Sequence, residues 1–250
     1  MTLSEALDLG DNGVVSIVGG GGKTSIMFRL VAELPSQYRV LITTTTKIFL
    51  PSQYPCFCIK ETGFSKESLI RSLQVGERPV LGSEMILEKN KLNGVDPEFL
   101  ARLQREGQVD FILIEADGSK GRPLKGHLAS EPVIPEITTQ LVIVIGADIF
   151  GKKLDSEYVH RPEIVADLTG QSLGTLIQPE MIARLITHPR GIMATSPPGA
   201  ENLVIINKMD CLSSPVPAYE TARHLIHAGI PKVILCSAQS PDPVIDIIAH

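Results

Sequence analysis

The stretch Gly19-Gly20-Gly21-Gly22-Lys23-Thr24-Ser25 sets the expectations for the rest of this 250-residue chain. An apolar run, Val14-Val15-Ser16-Ile17-Val18, leads into it, and a helical pattern over Thr24–Leu34 leaves it. A strand, a glycine turn and Lys-Thr at a helix start form the arrangement that cradles nucleotide phosphates. Glycines let the backbone curl so that several N–H groups point inward, and the helix start adds partial positive charge. The Lys23 ammonium would reach the β- and γ-phosphates, and the Thr24 hydroxyl would ligate Mg²⁺. Gly19, Gly20, Gly21, Gly22 and Ser25 complete the expected loop contacts to the nucleotide. The usual spacing of this pattern puts its first glycine where the chain has Ile17. That predicts a loop that is shorter, or differently curved, than the common one.

Outward from this loop, short β-branched runs alternate with helical patterns, the signature of a parallel α/β sheet. Strands are expected at Gly13–Val18, Arg39–Thr44, Val109–Ile114, Gln140–Ile145, Asn202–Asn207 and Lys232–Cys236. They are nearly continuous in apolar residues, as strands covered on both faces should be. Helices are expected at Asp96–Glu106, Pro179–Thr187 and Ala218–Ala228, besides the one at Thr24–Leu34. The fold class this predicts is α/β, a mostly parallel sheet flanked by helices in a three-layer P-loop NTPase-like arrangement. Residues 1–250 read as a single domain, with an irregular excursion at about 51–93 and a small β-element around Val80–Glu88.

Composition agrees with an enzyme of the cytoplasm. The chain is 43% hydrophobic and 20% charged, with a formal net charge of −5. That balance gives no electrostatic footprint for nucleic acid. The N-terminus lacks a basic-then-apolar leader pattern, and the apolar runs are too short to span a bilayer. Of the four cysteines, Cys56 and Cys58 form a C-x-C pair. They lack the spacing of a structural zinc site and read either as soft-metal, sulfur or selenium ligands or as small apolar fillers.

Three further clusters carry chemistry. Phe111-Ile112-Leu113-Ile114 ends in Glu115-Ala116-Asp117-Gly118, an acidic strand end of the kind that holds Mg²⁺ beside a phosphate loop. Asp117 is the metal candidate, and Glu115 would orient water or act as a base. Spaced two apart on an extended strand, the two should point the same way. Leu203-Val204-Ile205-Ile206 leads into Asn207-Lys208-Met209-Asp210. There Asp210 could accept the N1–H and exocyclic amino hydrogens of guanine, which adenine does not offer in that arrangement. Lys208 would lie over the base and Asn207 would brace neighbouring loops. Ser237-Ala238, one strand later, would supply a backbone contact to guanine O6. Between these clusters runs a basic loop, Ser119-Lys120-Gly121-Arg122-Pro123-Leu124-Lys125-Gly126-His127. Its cations, Lys120 and Arg122 foremost with Lys125 and His127, would stabilise charge during phosphoryl transfer, and its glycines suggest a mobile switch. After the second strand, Thr46 is a further metal candidate and Lys47 a phosphate or substrate contact.

The loop at Gly19–Ser25, Thr43–Lys47, Glu115–Lys120, Glu131-Pro132-Val133-Ile134-Pro135, Val159-His160-Arg161-Pro162-Glu163 and Asn207–Asp210 occur in this order. This set resembles the YqeC-type proteins, described as accessory proteins of selenium-dependent molybdenum hydroxylases. The resemblance implies a P-loop NTPase fold and a role in maturing a selenium-containing molybdenum cofactor or inserting it into an apo-hydroxylase. His160 and Arg161 are then substrate or partner contacts, or a structural ion pair. The expected cofactors are Mg²⁺ and GTP, or ATP in its place. Three functions fit: a GTP-hydrolysing accessory protein, a kinase passing the γ-phosphate to an anionic small molecule, or a nucleotide-binding interaction module without turnover. P-loop proteins often complete their site across two chains, which leaves a homodimer open.

Overall fold

Among the described residues, 1–249, the computed structural model has a nine-stranded central sheet. Its strands are β1 Gly13–Gly19, β2 Val40–Thr44, β3 Cys56–Cys58, β4 Val80–Gly82, β5 Phe111–Glu115, β6 Gln140–Gly146, β7 Glu201–Asn207, β8 Lys232–Cys236 and β9 Val244–Ala249. They lie in the order β9-β8-β7-β6-β1-β5-β2-β4-β3. Every pairing is parallel except β8 with β9. Seven helices accompany the sheet: α1 Leu3–Ala6, α2 Lys23–Glu33, α3 Lys66–Gln74, α4 Pro97–Arg105, α5 Pro162–Thr169, α6 Pro179–Thr187 and α7 Val216–His227. The expected α/β class and mostly parallel sheet are both present. No helix among the described residues is long and apolar enough to cross a membrane.

Alternation along the strands divides the core into two layers. Val14 and Val18 of β1, Ile112 and Ile114 of β5 and Val204 and Ile206 of β7 pack with α3 to α7 on one face. Val15, Ile17, Phe111, Leu113, Leu203 and Ile205 pack with α1 and α2 on the other. Strands buried on both faces have no polar side to show, which is why they read as unbroken apolar runs. Asp96 caps α4 by accepting from the Glu98 N–H, with Pro97 at the first helical position, as that residue pair favours.

Residues 51–93 hold more order than their sequence suggests. Cys56–Cys58, α3 and Val80–Gly82 add two parallel strands and a helix to the edge of the main sheet. Lys47–Phe49, Met85–Ile86 and Lys91–Asn93 form a separate three-stranded antiparallel sheet. The Cys58 thiol is buried and its pKa is pushed up to about 12, chiefly by desolvation.

Candidate functional site

β1 lies mid-sheet, flanked by β6 and β5, so the glycine loop emerges at the carboxyl ends of three neighbouring strands. That is where ligands bind in open α/β sheets. Gly19, Gly21 and Gly22 have φ of +96°, +74° and +108°, a region that side chains strongly disfavour. A Cβ at Gly21 would lie 1.9 Å from the Gly146 nitrogen. The loop is tight, and the protein consumes its first amides. Gly19 donates to the Asp117 carboxylate, Gly20 to the Val144 carbonyl and Gly21 to the Arg122 carbonyl. The N–H groups of Gly22, Lys23 and Thr24 have no acceptor among the described residues. Free donors are thus concentrated at the start of α2, where the helix dipole favours an anion.

The two carboxylates of the acidic strand end have different surroundings. β5 ends at Glu115, so the alternation that would align the two no longer applies at Asp117. Both approach Lys23 Nζ, Asp117 Oδ1 at 3.2 Å and Glu115 Oε1 at 3.8 Å. Glu115 Oε2 also accepts from Thr24 Oγ1 at 2.8 Å. Asp117, the metal candidate of the sequence, is fully enclosed. Its oxygens face Lys125 Nζ at 3.1 Å, His127 Nε2 at 2.7 Å and the Gly19 N–H at 3.0 Å and 3.2 Å. Burial pushes the two in one direction, but they end apart. Desolvation raises the Glu115 carboxyl. At Asp117 the desolvation is outweighed by Lys23, His127 and Lys125, which hold it well below the usual carboxylate range.

The basic loop splits into an open half and a fixed half. Lys120 is exposed, with φ +52°, and Gly118 and Ser119 are partly open. From Leu124 the chain is tied down, contrary to a switch that is mobile throughout. Leu124–Lys125 pairs with Val159–His160, and the Gly126 N–H donates to the His160 carbonyl at 2.9 Å. Lys125 is 2% exposed and lies between Asp117 and Glu131, at 3.1 Å and 3.0 Å. Arg161, in a left-handed conformation just before α5, takes Glu131 in two bonds of 2.6 Å and 3.1 Å. That pair brings the Glu131 carboxyl down to about 2, the Arg161 hydrogen bond being the largest cause. Burial, then the charges of Arg161, Lys125 and Lys120, lower the His160 imidazole. Glu131 had no role assigned from the sequence, because only the fold places it beside Lys125 and Arg161.

On the other side of the loop, Asn207 joins three segments. Its Nδ2 donates to the Gly21 carbonyl at 2.9 Å, and its Oδ1 accepts from the Ala238 N–H at 3.0 Å. That second bond takes up the Ala238 N–H, one of the backbone donors of the Ser237-Ala238 pair. Ser237 Oγ accepts from the Asp210 N–H at 3.0 Å. Lys208 Nζ sits 2.7 Å from Asp148 Oδ2. The Asp210 carboxylate is exposed and, with Ser25, Lys208, Cys211 and Gln239, lines a pocket of about 190 Å³. A second pocket, of about 270 Å³, is lined by Lys23, Thr24 and Glu115 and by Lys47, Phe49, Lys91 and Lys120. Gly22 borders both, so the two form one groove across the start of α2. Thr46 does not line it; its N–H donates to Thr44 Oγ1, which in turn donates to the Glu115 carbonyl. Phe49 and Lys91 carry no motif and were not foreseen.

Residues 15–163 match the family model described as YqeC protein, a span that takes in the glycine loop, Glu115–Lys120, Glu131 and Arg161. The chain is also 36% identical over 198 residues to a curated protein of Escherichia coli strain K12 named "Uncharacterized protein YqeC". The aligned region covers 78% of this chain and 75% of that one. With its glycine loop, enclosed Asp117 and Glu131–Arg161 pair all inside or beside the matched span, this chain belongs to the YqeC family.

Proposed function

We propose that this protein binds a Mg²⁺-nucleotide, GTP in preference to ATP, and hydrolyses its terminal phosphoanhydride. One observation carries the reading: Gly22, Lys23 and Thr24, whose N–H groups are unpaired, line the same pocket as Glu115. Amides and Lys23 would take the phosphate oxygens, with Lys23 exchanging its present bond to the Gly19 carbonyl, at 2.8 Å, for phosphate. Thr24 Oγ1 and Glu115 Oε2 are hard oxygen donors side by side, which suits Mg²⁺. Among the described residues no group of three or more His, Cys, Asp or Glu could hold a metal. The ion would therefore be shared between phosphates and these two residues, and bound there it would neutralise charge on the β- and γ-oxygens. Glu115 takes the metal-side place in this reading, and Asp117 becomes a positioning residue that fixes Gly19 and Lys23. Lys120 and Arg122, on the turn beside the groove, are assigned to charge stabilisation during hydrolysis.

Guanine preference rests on Asp210, whose exposed carboxylate borders the adjoining pocket. The cellular role rests on the family resemblance: an accessory step in maturing or inserting the selenium-containing molybdenum cofactor of a hydroxylase, in the cytoplasm. Calorimetric titration with GTP and ATP, with and without Mg²⁺, tests the reading together with phosphate release. Mg²⁺-dependent GTP binding followed by slow phosphate release is expected, and Asp210→Asn should weaken GTP far more than ATP. Equal losses for the two nucleotides would remove the guanine assignment. Silence toward both would sink the nucleotide reading altogether.

A further inference from the structure

Three lysines surround one pocket with no carboxylate paired to them. Lys47 and Lys91 come from neighbouring strands of the small antiparallel sheet, in which Phe49 pairs with Lys91. Lys120 comes from the turn after β5. None of the three makes an ion pair among the described residues. In a chain of net charge −5, this is a local surplus of positive charge: with Lys23 the pocket carries four lysines against the single carboxylate of Glu115. A concave site of net positive charge concentrates anionic ligands. Phe49 is 70% exposed on the pocket wall, with Lys91 Nζ 3.1 Å above its ring centroid. That cation–π contact holds the ammonium at the pocket mouth. An isolated exposed aromatic needs no explanation, but one that shares a pocket with three free cations offers a ligand an apolar surface beside its charge.

These groups share the pocket with Gly22, Lys23 and Thr24, whose donors would hold a nucleotide. The nucleotide's phosphates have the start of α2 and Lys23; Lys47 and Lys91 belong to the small antiparallel sheet, and Lys120, assigned above to charge stabilisation, would serve both ligands. We propose that this pocket binds a second, separate small molecule bearing a phosphate or carboxylate group, its charge on Lys47, Lys91 and Lys120 and its ring on Phe49. The inference rests on the nucleotide reading, since it places this ligand next to the terminal phosphate, where an acceptor or an effector of hydrolysis would lie.

The test uses the full chain saturated with Mg²⁺ and a non-hydrolysable GTP analogue, titrated calorimetrically with inorganic phosphate and with phenyl phosphate. Both should bind, phenyl phosphate severalfold tighter through its ring. The double variant Lys47→Ala/Lys91→Ala should weaken both by roughly tenfold or more, while affinity for the analogue stays within about twofold. Phe49→Ala should erase only the advantage of phenyl phosphate. The proposal is overturned if the loaded protein takes neither probe. It is equally overturned if the double variant loses the analogue as severely as Lys23→Ala does, because the lysines then serve the nucleotide's own phosphates. Should the unmodified protein bind no analogue, the nucleotide reading fails by itself. The same titrations of the nucleotide-free protein then decide: dependence on Lys47 and Lys91 supports the pocket, and dependence on Lys23 alone overturns it.

Discussion

Lys23 is 4% exposed, and its ammonium is shared among the Gly19 carbonyl, Asp117 and Glu115. A buried charge is tolerated only when it is paired, and the same economy makes Lys23 replaceable without collapse. In Lys23→Ala, Asp117 keeps Lys125 and His127, so the fold should persist. Nucleotide affinity should fall by on the order of a hundredfold. Calorimetry on the folded variant checks this, and retained tight binding would remove Lys23 from the site. Arg161 acts on stability instead. Glu131 ionises in the fold at about 2 against an ordinary 4.5. A depressed carboxyl stabilises the fold above its unfolded value and loses that contribution as pH falls from 4.5 toward 2. Arg161→Ala should therefore lower the melting temperature at neutral pH and narrow the gap between neutral pH and about pH 3. Thermal unfolding at the two pH values measures it, and an unchanged gap would refute the assignment.

At the scale of the element, the glycine loop works through backbone geometry. Gly21→Ala places a methyl group against the Gly146 backbone at a φ of +74°. Strain and overlap together should cost at least about 2 kcal/mol and abolish phosphate binding. Gly118→Ala is the matching control, since a Cβ there meets nothing within 4 Å, and it should leave the melting curve unchanged. Equal stability of the two variants in circular dichroism melts would contradict the geometry. Legibility in sequence also varied by element. β1, β5, β6 and β7 are long and buried on both faces, so each prints a continuous apolar run. β3 is three residues long, too short for a pattern to emerge, and β4, equally short, was legible only as part of the β-element expected around Val80–Glu88. β9 is an edge strand, half exposed and interrupted by Asp246. α5 starts at Pro162 directly after left-handed Arg161, with no side-chain cap to announce it.

For the whole molecule, α2 and the ends of β1, β5 and β7 meet at one groove, and a ligand there must couple to global stability. A ligand that binds only the folded state at a hundred times its Kd stabilises by about 2.7 kcal/mol. For a chain of this size that raises Tm by about 5–10 °C. Mg²⁺ with GTP should produce such a shift, ATP a smaller one, and Lys23→Ala should remove it. A Tm indifferent to all nucleotides would argue against the groove as their site.

What the amino-acid sequence determined alone is local. A strand, four glycines, Lys-Thr and a helix are contiguous, so their geometry follows from neighbours along the chain. The parallel sheet follows from the alternation of buried strands and helices. The sequence pattern pointed to Asp117 for the metal because it lies nearer the strand's end; only the tertiary structure decided which carboxylate stands beside Thr24 and which is enclosed. It alone placed Lys125 between Asp117 and Glu131, gave the Ala238 N–H to Asn207, and gathered Lys47, Lys91 and Lys120 around one pocket. Those outcomes depend on burial and on partners tens of residues apart, and no local pattern encodes either.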